Sequence, residues 1–234
     1  MKGNLKVISP LWLFMFFNML LFSQQLNEDF KIKVSPVFNG EKLQKDDWYV
    51  SKKGDSIQFN KVKFYLTDFK FDLAENSQQK IINNTVLVDA FDKKTLLKTL
   101  QRPLNKKDST IQFSLGVSGV LSESGALSGD FDPANGMYWA WQSGYINIKI
   151  EGMSPSCPTR KNKFTFHIGG FQKSYPTLRV LSFPIKEYQN EITLVVDLAT
   201  FLNEIDLKEK HSVMIPGEKA SKLADIAVNM FDIK

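Results

Sequence analysis

The sequence predicts an all-β domain, a two-sheet antiparallel β-sandwich with a short C-terminal helix. Three observations favour this class. Apolar and polar residues alternate along many short segments, as in strands with one buried face. Clusters of Gly, Asn, Asp and Pro separate these segments, as turns require, and helical spacing of apolar residues is confined to the end of the chain. Many strands without intervening helices are typical of sandwiches and barrels.

The alternation is clearest in two segments. Segment 109–118 places four apolar side chains on one face, and segment 144–152 places three isoleucines in the same way. In the final segment, 218–231, apolar residues recur at helical spacing, so one helix face can dock on the sheets. The predicted strands, in chain order, are 31–39, 56–72, 84–91, 109–118, 144–152, 163–170, 178–185 and 191–202.

Residues 1–23 are predicted to be a secretory signal peptide. Lys2 and Lys6 form a short basic region, an apolar run follows from Leu11 to Phe22, and small and polar residues end it. The run is shorter than the about 20 apolar residues that a membrane span needs. We therefore expect one domain over residues 24–234, no stable membrane span after cleavage, and a periplasmic or secreted location.

Charge and cysteine content exclude several classes of protein. Loss of Lys2 and Lys6 lowers the formal net charge from +5 to +3, and the remaining lysines are scattered. Nucleic-acid binding needs basic residues clustered on one face, so no nucleic-acid partner is expected. Cys157 is the only cysteine, so no intramolecular disulfide can form. It lies in a segment rich in Pro and Ser, and we interpret it as an incidental loop thiol.

No catalytic motif is evident in the sequence. There is no nucleophile elbow, no Gly-rich phosphate loop after a strand and no zinc-protease helix motif. The segment 130-DFDPANG-136 lacks the spacing and the closing acidic ligand of a calcium loop, so we interpret it as a turn. The chain is therefore predicted not to be an enzyme. A copper oxidoreductase would need an open coordination position and a substrate pocket, which no motif indicates.

The block 137-MYWAWQSGY-145 is unusually rich in aromatic residues. If it is extended, Met137, Trp139 and Trp141 share one face. Its packing interpretation is a central strand between the core and a covering loop, because Trp and Tyr are mostly packing residues. Two functional interpretations stay open. In the first, Trp139, Trp141 and Tyr145 form an aromatic face that stacks a glycan or peptide without any metal. In the second, the rings surround a soft metal.

The two histidines are the other candidates. His167 lies in predicted strand 163–170, where the alternate residues are apolar, so His167 points away from the buried face. His211 precedes Met214 by three residues, in a segment predicted to be a loop. Imidazole and thioether donors together suit copper, especially Cu(I), but spacing alone does not show that the two histidines meet.

At these residues the sequence resembles a known family. Six blocks are similar, in chain order, to the MbnP-like family of exported copper-binding proteins, relatives of the methanobactin-associated and copper-repressible proteins of methanotrophs. The Met-x-Trp-x-Trp-x-x-Gly-Tyr block is the most specific part. The blocks are 64-FYLTDFKF-71, 86-VLVD-89, 113-FSLGVS-118, 136-GMYWAWQSGY-145 with 151-EG-152, 164-FTFHIGG-170 and 211-HSVM-214.

The resemblance implies an exported, β-rich domain that binds copper. It also implies a partner, a di-haem peroxidase of the MauG type, which oxidises a tryptophan to kynurenine so that the modified residue joins histidines at the metal. On this chain the candidates for modification are Trp139 and Trp141, and the candidate ligands are His167 and His211. The aromatic block departs from the family pattern because it contains no histidine. Met214 and Met137 are the candidate replacements, and they would favour Cu(I).

Overall fold

The computed structural model describes residues 29–73, 80–82, 85–101, 108–141, 144–187 and 189–234. The predicted signal peptide, residues 1–23, lies outside the described residues. The described residues form fifteen strands in two sheets, with a short helix near the C-terminus, so the predicted fold class is confirmed. None of the helices within this part of the chain is long and apolar enough to cross a membrane.

The elements are named here in chain order. The strands are β1 Phe30–Phe38, β2 Glu41–Lys42, β3 Trp48–Val50, β4 Ser56–Leu73, β5 Lys80–Ile82, β6 Val86–Asp89, β7 Leu97–Leu100, β8 Asp108–Leu115, β9 Tyr138–Trp139, β10 Gly144–Met153, β11 Lys163–Gly169, β12 Arg179–Pro184, β13 Glu191–Asp197, β14 Ser212–Val213 and β15 Phe231–Ile233. The α-helices are α1 Gly119–Glu123, α2 Leu198–Asn203 and α3 Glu218–Ala227.

An observed strand overlaps each predicted one, and two segments differ markedly from the prediction. Segment 191–202 changes from strand to helix at Asp197, whose Oδ1 accepts a hydrogen bond from the Ala199 N–H at 3.0 Å and so caps α2. The apolar run continues across this boundary, so alternation does not reveal it. The segment around His211 was predicted to be a loop, and it contains the two-residue strand β14.

The two sheets differ in size. The smaller sheet has the order β15-β13-β1-β2, and β7 also pairs with β1. The larger sheet has the order β12-β8-β4-β10-β11-β14, with β3, β5 and β6 on β4 and with β9 on β10. Most pairs are antiparallel, as predicted, while β1–β13 and β11–β14 are parallel. The second parallel pair matters for the site, because it places the segment around His211 alongside the strand of His167.

The main apolar core lies between the sheets. Phenylalanines from both sheets are fully buried in it, among them Phe30, Phe64 and Phe166. Burial of one such ring stabilises the fold by about 1.5–3 kcal/mol relative to exposure. Helix α3 packs against β11 through the face predicted from its spacing, which includes Leu223 and Ala224.

A second, smaller apolar cluster lies on the outer face of the larger sheet. Tyr65 and Leu87 belong to it, and they alternate along β4 and β6 with residues of the main core. Segment 117–141, with α1 and two short 3₁₀ turns, covers this cluster. The segment 130–136 is a turn, as predicted. Asp130 Oδ2 accepts from the Leu87 N–H at 3.1 Å, and Asp132 Oδ1 accepts from the Ala134 N–H at 2.8 Å.

Candidate functional site

A row of polar side chains crosses four strands on the outer face of the larger sheet. The strand register pairs Asp89 with Lys63, Lys63 with Lys149, and Lys149 with His167. Cross-strand partners share a face, and the chain neighbours of these residues belong to the main core. His167 therefore points away from the core, as predicted, and stands on β11, the last strand of this row.

The His167 ring is held by a carboxylate of the neighbouring strand. His167 is only 8% exposed, and its Nε2 lies 2.8 Å from Oε1 of Glu151 on β10. Lys61 of β4 forms an ion pair with the other carboxylate oxygen at 3.0 Å. The hydrogen bond to His167 and the pair with Lys61 outweigh burial and lower the pKa of Glu151 to about 2. With Nε2 engaged, Nδ1 is the ring nitrogen that can act as a ligand.

Met214 follows the short parallel strand β14, which pairs with the strand of His167. Thr165 pairs with Ser212 and Phe166 with Val213, so His167 and Met214 each come one residue after the last pair of this ladder. Neighbouring strands lie about 4.8 Å apart. The chain stays beside β11 beyond this point, because a Cβ on Gly170 would lie 2.9 Å from Cβ of Pro216. Met214 is 47% exposed, so its thioether is accessible at this edge of the sheet.

The same register sets His211 apart from His167. The Thr165 N–H donates to the His211 carbonyl oxygen at 2.8 Å, which aligns His211 with Phe164. Three residues of strand separate this position from His167, about 10 Å along the strand. Alternation along β14 directs His211 to the side of Val213, which packs against the main core. There its Nδ1 is buried and has no hydrogen-bond partner among the described residues.

Trp139 packs against the strand that carries His167. A Cβ on Gly169 would lie 2.8 Å from Cζ3 of Trp139 and 2.6 Å from the Tyr145 carbonyl oxygen, so only glycine leaves room for the indole. Gly169 follows His167 by two residues and therefore lies on the same face. Trp139, which is 6% exposed, also borders one small cavity together with Pro216. The indole and Pro216, which follows β14, thus border the end of β11 that carries Gly169, two residues from His167.

The remaining residues of the aromatic block have different environments. Trp141 is 62% exposed, and its ring centroid lies 5.9 Å from that of Trp139. Tyr145 is buried, and its hydroxyl accepts from the Leu127 N–H at 3.1 Å and donates to the Phe131 carbonyl oxygen at 3.1 Å. Met137 is also buried in the second cluster. Of the three rings predicted to form a stacking face, Trp141 is the exposed one.

Two lysines of the polar row attach the aromatic block to the sheet. Lys63 Nζ donates to the Asn135 carbonyl oxygen at 3.4 Å, and Lys149 Nζ donates to the Gly136 carbonyl oxygen. Burial lowers the pKa of Lys149 below its ordinary value. The sequence interpretation missed Lys149 and Glu151 as neighbours of His167. Their alternation with the buried isoleucines of β10 was the available signal, since it places them on the outer face.

The donor atoms near His167 determine which kind of metal could bind there. Within the described residues, no group of three or more His, Cys, Asp or Glu side chains is arranged to hold a metal ion. The candidate donors are Nδ1 of His167 and the sulfur of Met214, while Nδ1 of His211 lies on the opposite face of the sheet. Nitrogen and thioether donors form a soft set, which fits Cu(I) better than it fits hard ions such as Mg²⁺ or Ca²⁺. Burial raises the pKa of the Cys157 thiol to about 11, which agrees with an unreactive thiol.

The fold is a β-sandwich domain that carries His167 on the outer face of its larger sheet, with Trp139 packed against Gly169 of the same strand and Met214 just after the adjacent strand. The chain belongs to the MbnP family, whose sequence profile matches residues 27–215. It is also similar to the solved structure of MbnP from Methylosinus trichosporium, with a TM-score of 0.61 and 14% sequence identity over 77% of this chain and 79% of that chain. At this identity the structural likeness concerns the fold alone. No curated protein sequence matches the chain significantly.

Proposed function

We propose that this chain is an exported copper-binding protein that binds or delivers copper without catalytic turnover. The observation that supports the proposal is that Met214 directly follows β14, the parallel partner of the strand of His167, while the buried Trp139 packs against Gly169 of that strand, in a chain of the MbnP family. The imidazole of His167 and the thioether of Met214 are two donors of the kind that Cu(I) prefers. The signal-like sequence of residues 1–23 supports a periplasmic or secreted location.

The residues around these donors have distinct roles in the proposal. Glu151 orients the His167 ring, and the Trp139 indole covers the end of β11 and limits access of water. His211 is a separate candidate donor on the core side of β14, and its Nδ1 has no hydrogen-bond partner among the described residues. Bound copper is the cargo of the protein, and these residues bind it, orient its ligands and exclude water.

We also propose that Trp139, rather than Trp141, is the tryptophan that a di-haem peroxidase of the MauG type oxidises to kynurenine. Trp139 is the ring that packs against Gly169, two residues from His167, whereas Trp141 stands in solvent. A modified side chain at position 139 would therefore be the one within reach of the metal ligands. Trp141 touches Trp139 from the outside and is the part of the aromatic block that a partner can contact.

Competition titration tests copper binding directly. Residues 24–234 would be titrated with Cu(I) under anaerobic, reducing conditions against a chromophoric chelator. We expect stoichiometric binding, weakened at least about tenfold, or about 1.4 kcal/mol, by His167→Ala. Met214→Leu is expected to weaken binding as well, because it keeps the side-chain volume and removes the sulfur donor.

The chain offers matched controls for these variants. Thr165→Ala changes the same face of β11, and Met153→Leu removes a thioether at the far end of β10. Both controls should retain the affinity of the unmodified protein. His211→Ala reports whether the buried nitrogen is a ligand. Unchanged affinity in both His167→Ala and His211→Ala would exclude the proposal.

A further inference from the structure

We propose that Glu151 is a positioning residue that fixes the tautomer of His167, so that Nδ1 and not Nε2 is the nitrogen presented to copper. The inference rests on the proposed function and adds to it the identity of the ligating atom and a residue that selects it. Glu151 is not itself offered as a ligand, because both of its oxygens are engaged by His167 and Lys61.

The hydrogen bond determines where the proton of the imidazole lies. A carboxylate at neutral pH can only accept, so the 2.8 Å contact requires Nε2 to carry the proton and donate it to Oε1. In the neutral ring the lone pair is then on Nδ1. The proton and the lone pair thus occupy opposite sides of the ring, as in metal sites where a carboxylate orients a ligating histidine.

The carboxylate is itself held in place. Glu151 lies on β10 between two strands, paired with Lys61 of β4 on one side and with Thr165 of β11 on the other. Its ion pair with Lys61 at 3.0 Å fixes the second oxygen. A carboxylate restrained in this way restricts the rotation of the His167 ring more than a mobile surface side chain would.

The order of the strands determines the direction in which Nδ1 of His167 points. Glu151 approaches His167 from β10, while β14, which Met214 directly follows, lies on the other side of β11. Since the two ring nitrogens point away from each other, engagement of Nε2 on the β10 side turns Nδ1 away from β10. The ring therefore offers its lone pair on the side of the sheet edge, where the exposed thioether of Met214 lies.

The test reads the tautomer in protein that contains no metal. Long-range ¹H–¹⁵N correlation spectra of ¹⁵N-labelled residues 24–234 would be recorded at about pH 8, above the ordinary imidazole pKa of about 6.5. We expect the Nε2–H tautomer at His167 in the unmodified protein and a mixture of tautomers in Glu151→Gln. The same variant should bind Cu(I) about 10- to 100-fold more weakly, the usual effect of losing such a partner. Glu218→Gln, which changes an exposed glutamate on α3, should alter neither measurement.

The two measurements separate this inference from the proposed function. A proton on Nδ1 in the unmodified protein, or an unchanged tautomer in Glu151→Gln, would overturn the inference even if copper binds tightly. A shifted tautomer with unchanged copper affinity would overturn the role of Glu151 in presenting the ligand. Failure of the unmodified protein to bind copper, with the expected tautomer present, would instead exclude the proposed function and confine Glu151 to orienting the ring.

Discussion

At the scale of single residues, the site depends on one glycine. Gly169 allows the Trp139 indole to lie directly on β11, next to the position of His167. The Tyr145 carbonyl oxygen approaches the same point. A shift of the indole alone therefore cannot relieve the clash that a side chain at position 169 would cause. A residue without a side chain is thus part of the site although it offers no donor.

Gly169→Ala is expected to destabilise the protein. The added methyl would meet backbone and ring atoms, and such overpacking costs about 1–3 kcal/mol. The free energy of unfolding from chemical denaturation, together with tryptophan fluorescence, measures the cost and the displacement of Trp139. Gly119→Ala is the matched control, because its nearest neighbour, Cβ of Phe171, would lie 3.8 Å from the new methyl. Equal effects of the two substitutions would contradict this account.

Cys157 is expected to resist thiol reagents in the folded protein. It is fully buried, and burial raises the pKa of its thiol to about 11, so very little thiolate forms at neutral pH. Alkylation followed by mass spectrometry should show labelling in denaturant and almost none in native buffer. Equally fast labelling in both conditions would show that the loop around Cys157 opens readily.

At the scale of elements, Asp197 ends β13 and starts α2. Its Oδ1 accepts from the Ala199 N–H at 3.0 Å and from the Asn39 N–H at 2.9 Å, so it joins the helix to the end of β1. The helix that follows buries Leu198 and Phe201 in the main core. This single carboxylate therefore connects a strand, a helix and a turn.

Asp197→Ala should lower the free energy of unfolding by about 0.5–2 kcal/mol, the usual cost of losing an N-cap. Chemical denaturation measures this loss. Glu204→Ala, at the exposed C-terminal end of the same helix, should change stability much less. If the two variants were equally stable, the cap would not contribute as described.

Elements also show what the sequence could reveal and what it could not. Alternation predicted the long strands and the outward direction of His167, because both follow from local period. The strand β14 has two residues, and its parallel pairing with β11 depends on the rest of the fold, so no local pattern could place segment 211–214 alongside β11. The separation of His211 from His167 follows from the same register. For Glu151, the only signal in the sequence was that a charged residue alternates with the buried isoleucines of β10.

At the scale of the whole molecule, His167 and the main core occupy opposite faces of the larger sheet, whereas His211 points to the core side. Neither His167 nor Met214 belongs to the core between the sheets, so the fold is expected to form without copper. A metal that binds only the folded state nevertheless stabilises it through mass action. The domain is therefore expected to be folded without copper and more stable with it.

Thermal unfolding with and without Cu(I) measures this linkage. At free copper about 100-fold above the dissociation constant, the gain is about 2.7 kcal/mol. His167→Ala should unfold cooperatively and should lose most of this gain, while Thr165→Ala should keep it. A variant at His167 that gains as much from copper as the unmodified protein would show that copper binds elsewhere.

The central claim is tested most directly on protein made by the native host. The full-length chain would be expressed there, the exported form purified, its bound metals measured and a peptide mass map recorded over residues 136–149. The account predicts an N-terminus near residue 24, stoichiometric copper, a kynurenine mass at Trp139 and an unmodified Trp141. Absence of copper even after loading, with both tryptophans unmodified, would contradict it.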